Sequence, residues 1–370
     1  MPPLVGVNIR DITQHCGDKE KQRTRTKGQH RIAASRAAAI TMSLPALPRR
    51  AAYITLNTPQ RRNALSLAEL RSLRDQIIQA NTSPTTGRTL LLPPFKPSLL
   101  SKLEQSHTNY SNNKPDDYSW LVSARAFARE RAGLPLVLVL ASHGPVFCSG
   151  HDLRELRTLP AAQISETFRL CAEVMSLIRR SPTLVVGRIS GHAIAAGCQL
   201  ALTTDLPITH GDGVKFRLPG AGLGLPCSSP VTSVGRRLGN ARAFRMLATA
   251  EDVSAAGLGD VIRVVHGGED EEGRKLVLDR EVERTAEKLA CMSPQQSAMG
   301  KWAFWTQASL TGRDFVGPDG VKVEGSGGDG YQDAVEWAGR VMALHAKSED
   351  AKEGMDAFLE KREAVWCAVG

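Results

Sequence analysis

Ser190-Gly191-His192-Ala193-Ile194-Ala195-Ala196-Gly197-Cys198-Gln199-Leu200 follows directly on Thr183-Leu184-Val185-Val186-Gly187-Arg188-Ile189, and this join of an apolar run to a glycine loop decides the fold. A run of that length without polar alternation suits a strand buried on both faces. The loop after it presents main-chain N–H groups where no side chain obstructs an approaching ligand. Its last residues open a helical segment, whose unpaired N–H groups and positive dipole end face the loop. The same order occurs upstream, where Leu134-Pro135-Leu136-Val137-Leu138-Val139-Leu140 leads into Gly144-Pro145-Val146-Phe147-Cys148-Ser149-Gly150-His151-Asp152-Leu153 and then into another helical pattern. Strand, glycine loop and helix in repetition make an α/β protein. Either loop alone is a weak signal, since glycine turns after strands are common and usually structural. Together they can form an anion hole.

Outward from these loops, Ala51-Ala52-Tyr53-Ile54-Thr55-Leu56 reads as an opening strand closed by the turn residues Asn57-Thr58-Pro59. Ser66 with Glu69 three residues later has the form of a capping box, before a helix with Leu67, Leu70, Leu73, Ile77 and Ile78 on one face. Residues 81–133 break the rhythm with Pro93-Pro94, Pro97 and an Asn-, Ser- and Lys-rich stretch from Ser106 to Asp117, so they read as an insertion, partly disordered, with one helix near 120–131. Further helices are expected at 241–250, 254–258 and 280–291, and a strand at 261–265. The glycines of 311–332 mark a second, flexible insertion. Residues 333–366 read as a helix pair broken near Lys347-Ser348-Glu349-Asp350. The expected organisation is therefore a leader at 1–50, a core at 51–310 interrupted at 81–133, a glycine-rich insertion at 311–332 and a helical C-terminal region at 333–370.

Composition excludes several function classes. With 42% apolar residues over 370, the chain can bury a large core, and no apolar run approaches the ~18 residues needed to span a bilayer. Residues 1–50 hold ten Lys/Arg against three Asp/Glu, so +7 of the net +9 sits in the leader and the body is nearly neutral. A phosphate-backbone footprint, and with it a nucleic-acid partner, is not expected there. The stretch from His30 to Ile40 is rich in Arg, Ala and Ser without an acid, the composition of an organelle-targeting peptide. A disordered basic tail is the bland alternative, and Asp11, Asp18 and Glu20 favour it. Seven scattered cysteines with no Cys-x-x-Cys pair fit a reducing compartment and argue against a zinc knuckle or a disulfide framework. No metal site is expected.

Five stretches together resemble the enoyl-CoA hydratase/isomerase (crotonase) superfamily: Thr55-Leu56-Asn57 through Arg62-Asn63-Ala64-Leu65; Phe147 through Leu153; Gly191 through Asp205; Phe216 through Gly224; and Asp350-Ala351-Lys352-Glu353-Gly354 through Phe358-Leu359-Glu360-Lys361-Arg362. The resemblance covers roughly 51–80, 134–265 and 280–366. It implies a ββα superhelical core that binds a coenzyme A thioester and aims two main-chain N–H groups, those of His151 and Ala196, at its carbonyl oxygen. It further implies that Ser149, Gly150, Asp152 and Leu153 meet the adenine. Arg62, Ala64 and Arg154 would neighbour the rest of the nucleotide, together with Phe358 and Lys361 from a C-terminal helix that often reaches an adjacent subunit. A homotrimer or hexamer and fatty-acid metabolism in the mitochondrial matrix complete the expectation.

The chain departs from that pattern at the acid and base. Hydratases of the superfamily carry one Glu just after the second loop's glycine and another in the loop that follows, and the matching positions here are Gln199 and Gly220. Neither Ala193–Thr204 nor Gly213–Gly235 contains a carboxylate. Each positioned acid or base contributes about 10²–10⁴ in rate, so hydration should be slower by several orders of magnitude. An acyl-CoA-binding protein with weak or absent hydratase activity is expected, with a decarboxylase, a thioesterase or a non-catalytic regulatory subunit as alternatives. His151 replaces a residue that is commonly Ala. Its ring is expected to turn away and pack, with an acid/base role near neutral pH as the sharper alternative. Asp205 reads as a structural anchor, Cys148, Cys198 and Cys227 as small buried thiols rather than nucleophiles, and Trp302, Phe304 and Trp305 as packing or subunit contacts.

Overall fold

The computed structural model describes residues 44–96, 99, 102–103, 118–122, 124–292, 294–307, 314–316, 322–346 and 349–363. The expected leader up to residue 43, the Asn- and Ser-rich stretch 106–117, and Gly312, Gly317, Gly320, Lys347, Ser348 and Trp366 lie outside the described residues.

Strand β1 (Ala51–Leu56) is followed by three successive ββα turns. In the first, β2 (Val137–Ser142) and β3 (Val146–Cys148) lead into helices Leu153–Thr158 and Ala161–Arg180. In the second, β4 (Leu184–Ile189) and β5 (His192–Ile194) lead into helix Ala196–Thr203. In the third, β6 (Leu206–His210) and β7 (Lys215–Arg217) lead into helices Val231–Leu238 and Asn240–Thr249, after which β8 (Asp252–Ser254) and β9 (Arg263–Val265) close the core. The first strand of each turn joins a five-stranded parallel sheet in the order β1-β2-β4-β6-β9. The second strand of each joins a smaller sheet, β3-β5-β7-β8, parallel except for its last pair. This is the ββα superhelix that the resemblance implies, and the loops at Gly144, Gly150 and Gly191 fall where the chain crosses from the first sheet to the second or from the second sheet to a helix.

Local chemistry explains the elements. All six residues of β2 are buried, as a strand covered on both faces requires. It begins at Val137 rather than at Leu134, because Pro135 has no N–H for the ladder. Ser66 Oγ accepts from the Glu69 N–H at 3.2 Å, so the expected cap starts helix Leu67–Ala80, which buries Leu67, Leu70, Leu73 and Ile77. Ser66→Ala should cost about 1 kcal/mol, read as a lower urea midpoint at unchanged m-value. The helix expected from 280 starts earlier, spanning Glu271–Ala290, because the Asp270 carboxylate accepts from the Gly273 N–H at 2.7 Å and Leu278, Val282 and Ala286 pack beneath the main sheet.

The first insertion builds its own small core. Leu90, Leu92, Phe95, Leu103, Trp120, Leu121, Ala126 and Phe127 pack against Ala298 and Trp302 of helix Pro294–Gln307, and the Trp302 indole N–H donates to the Pro94 carbonyl at 3.2 Å. Trp302 is thus a packing residue, while Trp305 lies under the Arg179 guanidinium at 3.0 Å and Phe304 meets Trp305 edge-on. Lys301 of the same helix, buried, bonds the Asp205 carboxylate at 2.8 Å, and Asp205 also accepts from the Val185 N–H at 2.8 Å. Asp205 is therefore the anchor that the sequence suggested. In the second insertion, β10 (Phe315–Val316) pairs antiparallel with β11 (Lys322–Val323), and Glu324 forms an ion pair with Lys96 of the first insertion. Helix Tyr331–Ala346 packs along Ala161–Arg180, with Gly339 against the Phe168 carbonyl, and helix Glu349–Glu360 folds back onto the Pro219–Leu223 turn. Among the described residues no helix is long and apolar enough to cross a membrane.

Candidate functional site

The two glycine loops meet backbone to backbone. Gly150, at φ +89, sits where a Cβ would lie 2.9 Å from Ala195 Cβ, 3.0 Å from the Ile194 carbonyl and 3.4 Å from the Ala196 nitrogen. At Gly197 a Cβ would collide with the Cys148 carbonyl, so only glycine lets the start of helix Ala196–Thr203 approach β3 this closely.

The two expected donors are free within this junction. Leu65 bridges the first loop in a parallel pattern, its N–H donating to the Gly150 carbonyl at 2.8 Å and its carbonyl accepting from the Asp152 N–H at 3.4 Å. In such a bridge the intervening residue, His151, turns its own N–H to the opposite side. Among the described residues no acceptor takes it. Ala196 occupies the first position of its helix, where the N–H has no intrahelical partner, and the preceding Ala195 is held at φ +50. That conformation costs a non-glycine residue of order 1–3 kcal/mol, strain placed at the turn that presents the donor. Two unpaired N–H groups beside a helix N-terminus can stabilise negative charge on one oxygen.

The positions of the missing carboxylates are equally clear. Gln199 is wholly buried, its Nε2 donating to Thr232 Oγ1 at 3.2 Å and its Oε1 accepting from Ser229 Oγ at 3.3 Å. Gly220 lies in the Pro219–Leu223 turn, where a Cβ would collide with the Leu225 carbonyl. The carboxylates that border the loops are engaged elsewhere. Asp152 caps helix Leu153–Thr158 through the Arg154 and Glu155 N–H groups and pairs with Arg61, and Glu155 accepts from the Leu67 N–H at 3.2 Å. Glu69 is buried against the Asn57 main chain, and desolvation raises its pKa.

The His151 ring packs edge-on against Phe168 at 4.7 Å between centroids, and both ring nitrogens are buried without a hydrogen-bond partner among the described residues. Burial pushes its pKa down to about 4, opposed by the Leu65 main chain. His151 as a whole is half-buried, but both ring nitrogens are covered and the ring is neutral at physiological pH, which speaks against the acid/base role tuned near neutrality. Burial likewise pushes the Cys148 thiol up to about 12 and Cys227 to about 11, and raises Cys198, so none is a thiolate nucleophile. Among the described residues no three His, Cys, Asp or Glu side chains gather as a metal site.

The remaining expected residues differ in exposure. Ala64 is buried beside Leu65, and the Arg62 carbonyl accepts from the Ser149 N–H at 3.1 Å while its side chain stays exposed. Ser149 and Leu153 are half-buried, and Arg154 is exposed. Phe358 and Lys361 are exposed at the end of the C-terminal helix, which the Arg157–Asp356 ion pair at 2.7 Å ties to helix Leu153–Thr158. That tie, Lys301, Ser229 and Thr232 went unnoticed in the sequence, where nothing marks a polar residue's distant partner.

A family model described as Enoyl-CoA hydratase/isomerase matches residues 127–314. The chain belongs to the enoyl-CoA hydratase/isomerase family. It is 31% identical over 314 residues to the rat enoyl-CoA hydratase domain-containing protein 3, mitochondrial, covering 85% of this chain and 80% of the relative. The human protein of the same name is 29% identical, with 85% and 79% covered. The crystal structure of human enoyl coenzyme A hydratase domain-containing protein 3 superposes with a TM-score of 0.51 at 27% identity, covering 87% of this chain and 98% of that one. An enoyl-CoA hydratase from Mycobacterium smegmatis gives 0.51 at 29% identity, with 87% and 97% covered.

Proposed function

We propose that this chain binds a coenzyme A thioester with its carbonyl oxygen between the N–H groups of His151 and Ala196, and that it acts in mitochondrial fatty-acid metabolism without standard enoyl-thioester hydration. The observation that carries the reading is the pair of unpaired main-chain donors at a glycine junction, next to an amide, Gln199, that hydroxyls hold in place. Ser149, Gly150 and Leu153 would meet the adenine, and Arg62, Ala64, Arg154, Phe358 and Lys361 the remainder of the nucleotide. Asp152 would support that loop as a helix cap. Relatives named as mitochondrial and the acid-free, Arg-rich stretch of the leader support the compartment. Assembly as a homotrimer belongs to the same proposal and is checked by analytical ultracentrifugation.

Titration calorimetry with acetyl-, butyryl- and octanoyl-CoA tests the reading. Binding of at least one thioester well below millimolar is expected, and the absence of binding by all three sinks it. Of the catalytic alternatives, decarboxylation fits the junction best, because stabilising an enolate oxygen supplies much of what it needs and no base must take a C–H proton. Thioester hydrolysis needs a water-activating base, and the occlusion of both His151 nitrogens speaks against that residue.

A further inference from the structure

We propose that Arg237 is a positioning residue for the thioester junction: its guanidinium grips the far end of helix Ala196–Thr203 and so aims the Ala196 N–H at the carbonyl oxygen. This rests on the thioester reading above and adds to it the residue that keeps one of the two donors in line. The carrying observation is what the guanidinium binds. Arg237 lies in the last turn of helix Val231–Leu238 and donates through Nη2 to the Thr204 carbonyl at 2.5 Å and the Leu202 carbonyl at 3.3 Å, and through Nε to Leu202 again at 3.4 Å. Its Nη1 reaches the main-chain carbonyl of Asp205 at 3.5 Å. Every one of these oxygens belongs to the end of helix Ala196–Thr203 or to the two residues after it. Among the described residues no carboxylate forms an ion pair with Arg237: the Asp205 carboxylate is taken by Lys301 and the Val185 N–H, and Asp329 faces the neighbouring Arg236 at 3.6 Å.

A cation belongs here for a physical reason. The last carbonyls of a helix have no intrahelical partner and carry its negative pole, so a guanidinium satisfies the oxygens and offsets the pole that opposes negative charge at the other end. The helix has only eight residues, about 12 Å, so a hold on its end sets the direction of the N–H groups at its start. That start is a pivot rather than a clamp. Ala195 supplies no side-chain cap, and Gly197 meets the Cys148 carbonyl with no side chain to key the contact. Between the two ends, Thr232 and Ser233 of helix Val231–Leu238 bond the side chains of Gln199 and Thr203 at 3.2 and 2.8 Å. Those hydroxyls are neutral rotors, whereas the planar fork of Arg237 fixes both distance and direction. Helix Val231–Leu238 is thus the frame against which the donor is aimed, and Arg237 is its charged contact. Hydrogen bonds weaken steeply as they leave the line, so a small tilt lowers the polarisation of the carbonyl without closing the cleft.

The test is infrared difference spectroscopy of butyryl-CoA, isotope-labelled at the carbonyl carbon, bound to the full chain and to Arg237→Met and Arg237→Lys. In the parent chain the carbonyl band should lie at lower frequency than in free butyryl-CoA, as two donors on one oxygen require. Arg237→Met should lose most of that displacement. Arg237→Lys, which keeps the charge and one donor but not the fork, should fall between. Calorimetry on the same proteins supplies the control, because free coenzyme A has no carbonyl to polarise. The affinity ratio of butyryl-CoA to coenzyme A should drop about threefold to tenfold in Arg237→Met, the size of one hydrogen bond. An undiminished displacement in either variant overturns the proposal and leaves thioester binding standing, and Arg237→Lys alone decides if Arg237→Met does not fold. An equal loss of affinity for both ligands would mark general damage to the structure and overturns it too. No displacement in the parent chain, or no binding, overturns the thioester reading together with the proposal.

Discussion

Gln199→Glu is expected to leave enoyl-thioester hydration at least about a hundredfold below that of an enzyme with both carboxylates, despite restoring an acid at the right position. The parent chain lacks two groups, each contributing about 10²–10⁴, and the substitution returns one. Even that one would be poorly served. The new carboxylate would keep the Ser229 hydroxyl as a donor, but Thr232 Oγ1 now accepts from Gln199 and gives its own proton to the Ser229 carbonyl at 2.7 Å. Unless Thr232 turns, one carboxylate oxygen faces a lone pair in a fully buried position, and desolvation favours its protonated form. The second group cannot be grafted onto this backbone at all. A side chain at Gly220 would drive into the Leu225 carbonyl, so Gly220→Glu should open the Pro219–Leu223 turn and destabilise the protein rather than supply a base. The assay is loss of crotonyl-CoA absorbance with Gln199→Glu alone and with Gln199→Glu/Gly220→Glu. Turnover of either variant at an ordinary enzymatic rate, about 1–10³ s⁻¹, would show that another group supplies the proton and that the family assignment of these two positions is wrong here.

Much of this site was legible because its signals are local. The apolar runs that became β2 and β4 cannot alternate when both faces are covered, and the glycines at 150 and 197 stand where two chain segments touch. The Ser66 cap needs only the spacing to Glu69. What escaped depends on distance in sequence. Strands β3, β5, β7 and β8 are three residues each, too short for a period to register, so the second sheet is invisible until the first is folded. The insertion at 81–133 reads from sequence as partly disordered with one helix, because its core is completed by Ala298 and Trp302, far along the chain. At the site itself, the sequence showed that carboxylates are missing but not that Gly220 has no room for one. Nor could it show that the neighbour His151 faces is Phe168.

The same buried ring should make folding stability fall as pH drops below about 6.5. A folded-state pKa of about 4 against 6.5 in the unfolded chain means that the unfolded state binds the proton first. The sign follows directly. The stabilisation is complete above the unfolded pKa, declines as pH falls from about 6.5 to about 4, and is absent below that. Its size at pH 7 relative to pH 4 is about 3 kcal/mol, a large share of the 5–15 kcal/mol typical of a folded domain. Desolvation is the dominant cause and no charged side chain offsets it, so salt should change the effect little. Other titrating groups add their own pH dependence, which makes the informative quantity a difference. Urea unfolding of the parent chain and of His151→Phe at pH 7.5, 6.0, 5.0 and 4.2 should give two curves that converge or cross, the parent losing about 3 kcal/mol more than the variant over that range. Parallel curves would mean that the ring protonates equally well folded and unfolded. In that case the imidazole would reach solvent, and the apolar wall of Phe168 could not be what leaves its nitrogens without a partner.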